Sequence, residues 1–420
     1  LTANITQKAL TASMVVADKT YDATTTATPT FTIISGLVNS QTLTVTGTAI
    51  FDSANAGSRT ATAQTVSLSN GTGLASNYTL SAGQTDTATI NKATLTASMT
   101  VAGKTYDATT TATPTFTITG GLVGSETLVV NGTATFSSAD AGSRTATAQT
   151  VSLTNGTGRA SNYSLSAGQT NTATITQAPL TITGATTSVT YNGSAQTNNT
   201  ATIKGSKGSD TFAVSGYASG TNAGTYSDIL VASSPASANY NINYSNGSLV
   251  IGKVTLAVTA NNQSRIYGDA NPTLTYAITG YVNGEDSSLI TGAPTITTAA
   301  SATSNVGSYT ITSAANNLSA TNYQFSYVNG SLAITKATLT VTANDQSKVY
   351  GNTNPSLTYT ITGYKNSNTS SVVTGSATVS TTATTTSNVG SYTITSAANN
   401  LSATNYQFSY ANGSLTITQA

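Results

Sequence analysis

The sequence repeats itself five times with a period of about 84 residues, and this repetition restricts the fold more than any other feature. Each copy opens on an alternating stretch that ends in a tyrosine, and it closes on an Asn-Tyr pair followed by a second alternating stretch. The first two copies keep register at an offset of 85 residues, from Tyr21 to Tyr106, and the last two at 83, from Tyr267 to Tyr350. Such a period is longer than a solenoid coil and is typical of a small domain. We therefore predict a tandem array of small domains.

Two short motifs mark every copy. The opening motifs comprise Tyr21, Asp22, Tyr106, Asp107, Tyr191, Tyr267, Gly268, Tyr350 and Gly351. The closing pairs are Asn77 and Tyr78, Asn162 and Tyr163, Asn239 and Tyr240, Asn322 and Tyr323, and Asn405 and Tyr406. We predict that the tyrosines pack at strand ends and that the aspartates bond turn amides, because motifs repeated at domain boundaries usually serve folding. A carboxylate and phenol pair in a catalytic or sugar-binding site is the disfavoured alternative.

The motifs divide the chain into a short tail and five repeats. The tail is 1–8, and the repeats are 9–92, 93–177, 178–252, 253–336 and 337–420. Residues 1–8 match the later repeat junctions, so we expect them to be the end of a preceding repeat. No Gly/Ser-rich or Pro-rich linker separates the repeats, which predicts limited freedom between them. If strands of about ten residues set the length of a repeat, five repeats form an elongated rod on the order of 170 to 200 Å long.

Apolar residues alternate with polar ones along each repeat, for example at 323–327 and 339–342. This period of two predicts an all-β fold, with each repeat a small β-sandwich or β-grasp-like domain. Asn-Gly pairs at 131–132, 246–247, 329–330 and 412–413 predict tight hairpin turns. The only helical candidate is one short turn at 285–290.

The composition removes most enzyme mechanisms. The chain has no Cys and no His, and charged residues are 6% of it, against about 25% in ordinary globular proteins. No basic patch could hold nucleic acid, and no apolar run reaches the roughly twenty residues of a membrane span. Asp269, Glu285 and Asp286 form the best acidic cluster, and it is poor in ligands for Ca²⁺. We predict no enzyme activity, catalytic residue, cofactor or metal site.

Two kinds of partner stay open. The 21 tyrosines could stack on sugar rings, which would make exopolysaccharide or cell-surface glycans the partner. Most tyrosines lie in phase with core positions, and Tyr217, Tyr281 and Tyr364, each after a glycine, are expected to be the exposed ones. The second possibility is self-association of the array into fibres.

Several recurring motifs resemble the repeat domains of large secreted bacterial adhesins. Repeats one and two resemble YDG-type repeats through Lys-Thr-Tyr-Asp, Gly-Leu-Val at 36–38 and 121–123, Phe51 and Phe136. Repeats three to five resemble MBG repeats through Tyr-Asn-Gly at 191–193, Tyr-Gly followed by Asn-Pro, and Asn-Val-Gly-Ser-Tyr at 305–309 and 388–392. Ala23 and Ala108 stand where the YDG pattern has Gly. Repeat five has Asn366-Ser367-Asn368 in place of Asn283-Gly284-Glu285, so an acidic residue there is not a shared requirement.

The resemblance implies an extracellular protein, secreted or attached to the cell surface, of the filamentous-haemagglutinin-like, two-partner-secretion kind. In such proteins the repeats lie between an anchoring or secretion region and the adhesive end. The expected function is therefore a structural stalk in an adhesin or biofilm-matrix fibre. A carbohydrate-binding array and a self-assembling filament subunit are the alternatives.

Overall fold

The computed structural model describes residues 3–420, so Leu1 and Thr2 of the predicted tail lie outside the described residues. Strands and short 3-10 turns make up the fold, and residues 3–420 contain no α-helix. The prediction of an all-β protein built of tandem repeats is confirmed. The chain divides into two compact units, one of residues 3–183, 201–215 and 231–245, the other of residues 184–200, 216–230 and 246–420.

Repeat one consists of nine strands and a 3-10 turn at Ala75–Asn77. The strands are β1 (Lys8–Ala9), β2 (Thr11–Val16), β3 (Lys19–Thr20), β4 (Thr26–Ala27), β5 (Pro29–Ser35), β6 (Leu43–Phe51), β7 (Gly57–Asn70), β8 (Tyr78–Thr79) and β9 (Thr85–Asn91). One sheet has the order β3-β9-β7-β6-β4, β2 pairs antiparallel with β5, and β1 pairs parallel with β8.

Repeat two has the same topology, with its 3-10 turn at Ala160–Asn162. Its strands are β10 (Ala93–Thr94), β11 (Thr96–Val101), β12 (Lys104–Thr105), β13 (Thr111–Ala112), β14 (Pro114–Gly120), β15 (Leu128–Phe136), β16 (Gly142–Asn155), β17 (Tyr163–Ser164) and β18 (Thr170–Thr176).

Repeat three contributes to both units and has a 3-10 turn at Ser237–Asn239. Its strands are β19 (Ala178–Gly184), β20 (Thr186–Thr190), β21 (Gln196–Thr197), β22 (Ala201–Lys204), β23 (Ala213–Ser215), β24 (Ser219–Gly220), β25 (Gly224–Ser227), β26 (Val231–Ser233), β27 (Tyr240–Ser245) and β28 (Ser248–Gly252). The sheet β22-β19-β27 belongs to the first unit and the sheet β20-β28-β25 to the second.

Repeats four and five share one topology of a three-stranded and a four-stranded sheet. Repeat four has β29 (Val254–Ala260), β30 (Gln263–Ile266), β31 (Tyr276–Thr279), β32 (Thr295–Thr298), β33 (Gly307–Ala314), β34 (Tyr323–Val328) and β35 (Gly330–Thr335). Repeat five has β36 (Ala337–Ala343), β37 (Gln346–Val349), β38 (Tyr359–Thr362), β39 (Thr378–Thr381), β40 (Gly390–Ala397), β41 (Tyr406–Ala411) and β42 (Gly413–Thr418). Their 3-10 turns lie at Ser287–Leu289, inside the predicted helical turn, and at Ser370–Val372.

Strand β29 shows how the alternating pattern builds the core. Leu256, Val258 and Ala260 are buried at alternate positions, while Ala257 and Thr259 between them are half-buried. Ala260 lies in one apolar cluster with Ile311 and Leu332 of the second sheet, and both of these side chains are fully buried. Thr and Val suit such half-buried strands because their branched side chains pack on a pleated surface.

The Asn-Gly pairs do not form hairpin turns, so that prediction is wrong. Asn329 follows β34, and Gly330 begins β35, which lies in the other sheet. The Asn329 Oδ1 accepts a hydrogen bond of 3.0 Å from the amide of Ser313. A Cβ atom on Gly330 would lie 2.4 Å from the carbonyl oxygen of Ala260, which only glycine avoids. The pair therefore moves the chain from one sheet to the other.

At the remaining predicted Asn-Gly pairs, too, another stretch of backbone passes close to the glycine. In repeats three and five the pair again stands between strands of different sheets, and in repeat two it lies inside the continuous strand β15. A Cβ atom would lie 2.0 Å from Ala185 O at Gly247, 2.3 Å from Ala343 O at Gly413 and 2.2 Å from Thr150 O at Gly132. None of these glycines has a positive φ, which the predicted turns would require.

Candidate functional site: the joint between successive repeats

The opening tyrosine of each of the first four repeats packs against the closing tyrosine of the repeat that follows it. Tyr21 and Tyr163 are 6% and 2% exposed, and their rings meet edge to face with centroids 5.4 Å apart. Edge-to-face aromatic pairs are the favoured geometry and add about 0.5 to 1.5 kcal/mol to the burial of their area. We number the contacts joints 1 to 4. The tyrosine pairs are Tyr21 and Tyr163, Tyr106 and Tyr240, Tyr191 and Tyr323, and Tyr267 and Tyr406.

One acceptor side chain lies between the two hydroxyls of each pair. In joint 1 the hydroxyls of Tyr21 and Tyr163 each donate to Glu126, at 2.6 Å. In joint 2 both donate to Asp210 Oδ2, at 2.8 and 2.6 Å. Glu285 accepts both bonds in joint 3, and Asn368 Oδ1 accepts them in joint 4, at 3.2 and 2.7 Å. An amide therefore replaces the carboxylate, so the joint requires an acceptor and not a charge.

The asparagine of each closing pair forms a second contact, which we call the asparagine clamp. In joint 1 Asn162 Oδ1 accepts from the amide of Ala56 at 2.9 Å, and its Nδ2 donates to Asn55 Oδ1 at 3.0 Å. Asn239, Asn322 and Asn405 make the same two bonds to the preceding repeat. Their partners are Ala141 and Asp140, Ala223 and Asn222, and Val306 and Asn305, at 2.8 to 3.1 Å.

A single residue connects the last strand of one repeat to the first strand of the next. This linking residue is Lys92, Gln177, Lys253 or Lys336. Gln177 Nε2 donates to Ala238 O at 3.0 Å, Lys253 Nζ to Ala320 O at 2.9 Å and Lys336 Nζ to Ala403 O at 3.3 Å. Each of these carbonyls lies one or two residues before the clamp asparagine. In joints 2 to 4 the link is thus held to the closing motif of the repeat that it enters.

The apolar cores also continue through three joints. One cluster joins Phe51 and Ile90 of repeat one to Leu95 and Tyr163 of repeat two. Others join Leu249 to Leu256 and Leu332 to Leu339. Joints 1 and 2 lie within the first unit, and joints 3 and 4 within the second.

Burial and the shared acceptor change the ionisation of the joint tyrosines. Burial, and then the bond to Glu126, raises the pKa of Tyr163 to about 12. In joint 2 the same two causes, with Asp210 as acceptor, raise the pKa of Tyr240 to about 12. The pKa of Tyr21 and of Tyr106 is also raised, first by burial. The bond to Glu285 is the main cause that raises the pKa of Tyr191.

The Tyr-Asp motif of the first two repeats also forms a local turn. Asp107 Oδ1 accepts from Lys104 Nζ at 2.7 Å and from the amide of Thr109 at 2.9 Å. Burial alone would raise the pKa of Asp107, but these bonds hold it at about 2. Ala108 has a φ of 64°, and Ala23 of repeat one has 63°. The glycine that the YDG pattern places there would favour this left-handed conformation.

The structure divides the predicted motif residues into two groups. Every opening tyrosine from Tyr21 to Tyr267, and every closing pair from Asn162 to Tyr406, takes part in a joint. Asn77, Tyr78, Tyr350 and Gly351 make no such contact within residues 3–420. Sequence reasoning missed the acceptors Glu126, Asp210, Glu285 and Asn368. Alignment of the repeats offers a signal for these acceptors. Gln41 is equivalent to Glu126, and Glu285 to Asn368, and all four side chains accept hydrogen bonds.

Other predicted sites look different in the structure. Tyr217, Tyr281 and Tyr364 are half-buried, which corrects the expectation of exposed rings. Tyr281 packs edge-on against Tyr323, and Tyr364 against Tyr406. The structure of residues 3–420 shows no group of three or more acidic side chains placed to hold a metal ion. It also has no helix long and apolar enough to cross a membrane.

The fold and its joints define a repeat-domain protein in which successive all-β domains are linked strand to strand. The sequence model of the YDG domain matches residues 6–88 and 90–173, and that of the MBG domain (YGX type) matches residues 256–333 and 339–416. The chain therefore belongs to the YDG and MBG repeat families, with two domains of each. No curated protein sequence matches the chain.

Two solved structures resemble the chain at low similarity. The crystal structure of Drosophila N-cadherin EC1-4 has 9% identity and a TM-score of 0.18, over 77% of this chain and 92% of that one. The crystal structure of the I9-I11 tandem from titin has 11% identity and a TM-score of 0.18, over 59% of this chain and 98% of that one.

Proposed function

We propose that the array is a structural spacer in an extracellular adhesin or biofilm-matrix fibre, and that it is not an enzyme. The observation that supports this role is the fourfold recurrence of one joint, in which a tyrosine pair, an acceptor and an asparagine clamp hold each repeat to the next. Recurring interfaces between neighbours are typical of arrays whose stability is a sum of repeat and interface terms. The joint supplies position and stiffness and offers no reacting group.

The strand pairing suits a chain under tension. Strand β29 near the start of repeat four pairs parallel with β34 near its end, and β30 pairs parallel with β35. Tension along the chain pulls such a pair in opposite directions, so all its hydrogen bonds are loaded in shear at once. The same parallel pairing of early and late strands occurs in the other four repeats.

Small-angle X-ray scattering of the dilute chain tests the spacer role. The expected maximum dimension is on the order of 170 to 200 Å, from the strand rise in five consecutive repeats. A chain that carries Asn162→Ala and Asn405→Ala loses two clamps and should show a broader distribution of interatomic distances. A compact particle with a maximum dimension below about 100 Å would contradict the spacer role, because five repeats in line cannot be that short.

The extracellular location has its own test. Antibodies raised against the 420-residue chain should label intact cells that produce it or detect it in the culture medium. Labelling that requires permeabilised cells would contradict the extracellular location. The spacer role would still be tested separately by scattering.

Glycan binding is a second candidate, and one observation favours it. Repeats four and five contain equivalent grooves of about 710 and 610 Å³, lined by Tyr276 and Tyr281 and by Tyr359 and Tyr364. Tyr276 is 39% exposed, so its ring is accessible for stacking on a sugar. A glycan array with the intact chain tests this role. Binding that falls on Tyr276→Ala and Tyr359→Ala would support it, and an array with no bound glycan would exclude it.

A further inference from the structure

Repeats four and five carry the same groove with a different charge. The groove of repeat four is about 710 Å³ and that of repeat five about 610 Å³, and each residue that lines one groove has its equivalent 83 positions away in the other. Glu285 and Asp286 line the first groove, and Asn368 and Thr369 take their places in the second. The two grooves therefore occupy the same place in the fold and differ by two carboxylates.

Asp286 is the carboxylate that is available to a ligand. Both oxygens of Glu285 already accept hydrogen bonds from the tyrosines of joint 3. Asp286 is exposed, and its Oδ1 accepts a hydrogen bond of 2.8 Å from the amide of Ser288. Its Oδ2 is left for a group that carries a positive charge.

The rest of the repeat-four groove suits a sugar. Tyr276 is 39% exposed, and the face of its ring attracts a protonated amine as well as an apolar sugar face. Tyr276 and Ile278 lie on the edge strand β31. Their backbone N–H and C=O groups point away from β29, because the residues between and beside them bond to it, as Thr275 O does to the amide of Asn261 at 2.9 Å. These backbone groups have no partner within residues 3–420 and can bind sugar hydroxyls.

A protonated amino sugar fits the repeat-four groove better than a metal ion does. A bound Ca²⁺ takes about six to eight oxygen ligands, and residues 3–420 hold no group of three or more acidic side chains placed for one. An ammonium group is satisfied by fewer acceptors, since it has three donors that also reach sugar hydroxyls and backbone carbonyls. The charge of Asp286 therefore favours an amine on the ligand.

We propose that the groove of repeat four binds glycans with free amino groups, and that the groove of repeat five binds neutral glycans. The ammonium group of an amino sugar meets Asp286 Oδ2 while the sugar ring stacks on Tyr276. In repeat five Thr369 offers a hydroxyl and no charge, so an ammonium group gains no ion pair there. The groove assignment rests on the glycan-binding candidate and adds the class of sugar to it.

The two repeats supply a matched exchange of residues. Asp286 and Thr369 occupy the same position, and each side chain caps the 3-10 turn that follows it by accepting from the amide of Ser288 or Ser371. Asp286→Thr and Thr369→Asp should therefore keep the turn and change only the charge of the groove. Circular dichroism checks that both variants fold.

Isothermal titration calorimetry of the intact chain at about pH 6 tests the proposal, because an amino group is protonated there and an aspartate is ionised. The two ligands are a glucosamine tetramer with free amines and the same tetramer N-acetylated. Asp286→Thr should weaken binding of the charged tetramer about five- to tenfold, the loss expected for one exposed charge-assisted hydrogen bond. Thr369→Asp should strengthen it at repeat five by a similar factor. Hydrogen exchange over residues 285–290 and 368–373 assigns each affinity to its groove.

The N-acetylated tetramer and tetralysine are the controls. Both variants should bind the N-acetylated tetramer like the parent chain, and tetralysine should bind more weakly than the charged tetramer, because it has the charges without the sugar rings. Equal affinity of the repeat-four groove for both tetramers would overturn the amino-sugar assignment and leave the glycan candidate intact. Tetralysine that binds as tightly as the charged tetramer would overturn it in favour of a basic peptide. Binding of neither tetramer, with an empty glycan array, would exclude the glycan candidate as well.

Discussion

Asn162 uses both ends of its side-chain amide on the preceding repeat. It is 1% exposed, and its partners are one backbone amide and one side-chain oxygen. A buried polar group that loses its partner costs about 1 to 3 kcal/mol, more than the same bond contributes when made. At the scale of single residues, the clamp is therefore the most sensitive part of joint 1.

We predict that Asn162→Ala opens joint 1 locally. The change leaves the amide of Ala56 without its acceptor and should cost about 1 to 3 kcal/mol, or roughly 5- to 150-fold faster amide exchange. Hydrogen exchange with mass spectrometry over residues 53–57 measures it. Asn77→Ala is the matched control, because the Asn77 side chain is exposed, and its effect should stay within about 0.5 kcal/mol. Equal protection in both variants would show that the clamp does not hold the joint.

We also predict that alkaline pH weakens joints 1 and 2. The pKa of Tyr163 and of Tyr240 is about 12 in the folded chain, against an ordinary value of 10.0. Because the pKa is higher in the folded chain than in the unfolded chain, folding favours the neutral phenol. The stabilisation is therefore complete below pH 10 and is lost as pH rises towards 12. Absorbance of tyrosinate near 295 nm should show a late-titrating group that Tyr163→Phe removes.

Glu126→Gln separates the two causes of the shift. Burial is the larger cause for Tyr163, and the bond to Glu126 is the second. The variant should therefore lower the pKa of Tyr163 without returning it to 10. An unchanged pKa of Tyr163 in this variant would show that the Glu126 carboxylate has no influence on the phenol.

Sequence reasoning identified the motif residues but not their partners. The period of the motifs showed that Tyr21 and Asn162 matter to the repeat, and the local turn around Asp107 follows from the ordinary chemistry of aspartate in turns. The period of the motifs could not show that the tyrosine packs on the next repeat. A contact within one repeat and a contact between two repeats recur with the same period. The acceptor was hidden because Glu126, Asp210 and Asn368 differ in residue type while serving one role.

At the scale of strands, the switch between sheets explains most of what alternation did not predict. Alternation correctly placed Leu339 and Val341 on one face of β36. It could not distinguish a hairpin from a strand that passes straight into the other sheet, since Asn-Gly suits both. The decisive factor is the approach of a second backbone to Gly330, and only the three-dimensional arrangement shows it.

The direct connection of β35 to β36 through Lys336 should be essential for joint 4. We predict that inserting two glycines after Lys336 weakens the clamp, because the link no longer fixes Asn405 against repeat four. The amide of Val306, bonded to Asn405 Oδ1 at 2.9 Å, should then exchange faster. The control is the same insertion after Gly83, an open position between β8 and β9. Unchanged exchange at Val306 would mean that the joint holds without a short link.

At the scale of the whole molecule, the chain places two kinds of repeat in series. In repeat one the parallel pairs β1 with β8 and β3 with β9 span two residue pairs each. In repeat four β29 with β34 spans six residue pairs, and β30 with β35 spans four. Every repeat in a series bears the same tension, so the repeat with the fewest bonds loaded in shear yields first.

We therefore predict that the YDG repeats unfold at lower force than the MBG repeats when the chain is stretched from its two ends. Repeats of about 84 residues give similar extensions, so repeat one is marked by ten residues inserted after Gly83, which lengthen its step by roughly 33 to 36 Å. In single-molecule force spectroscopy the marked step should fall among the first, low-force events. A marked step among the last events would show that the antiparallel pairs of repeat one, and not its short parallel pairs, set its resistance. The force at which repeat one unfolds would then be set by its long β6–β7 hairpin.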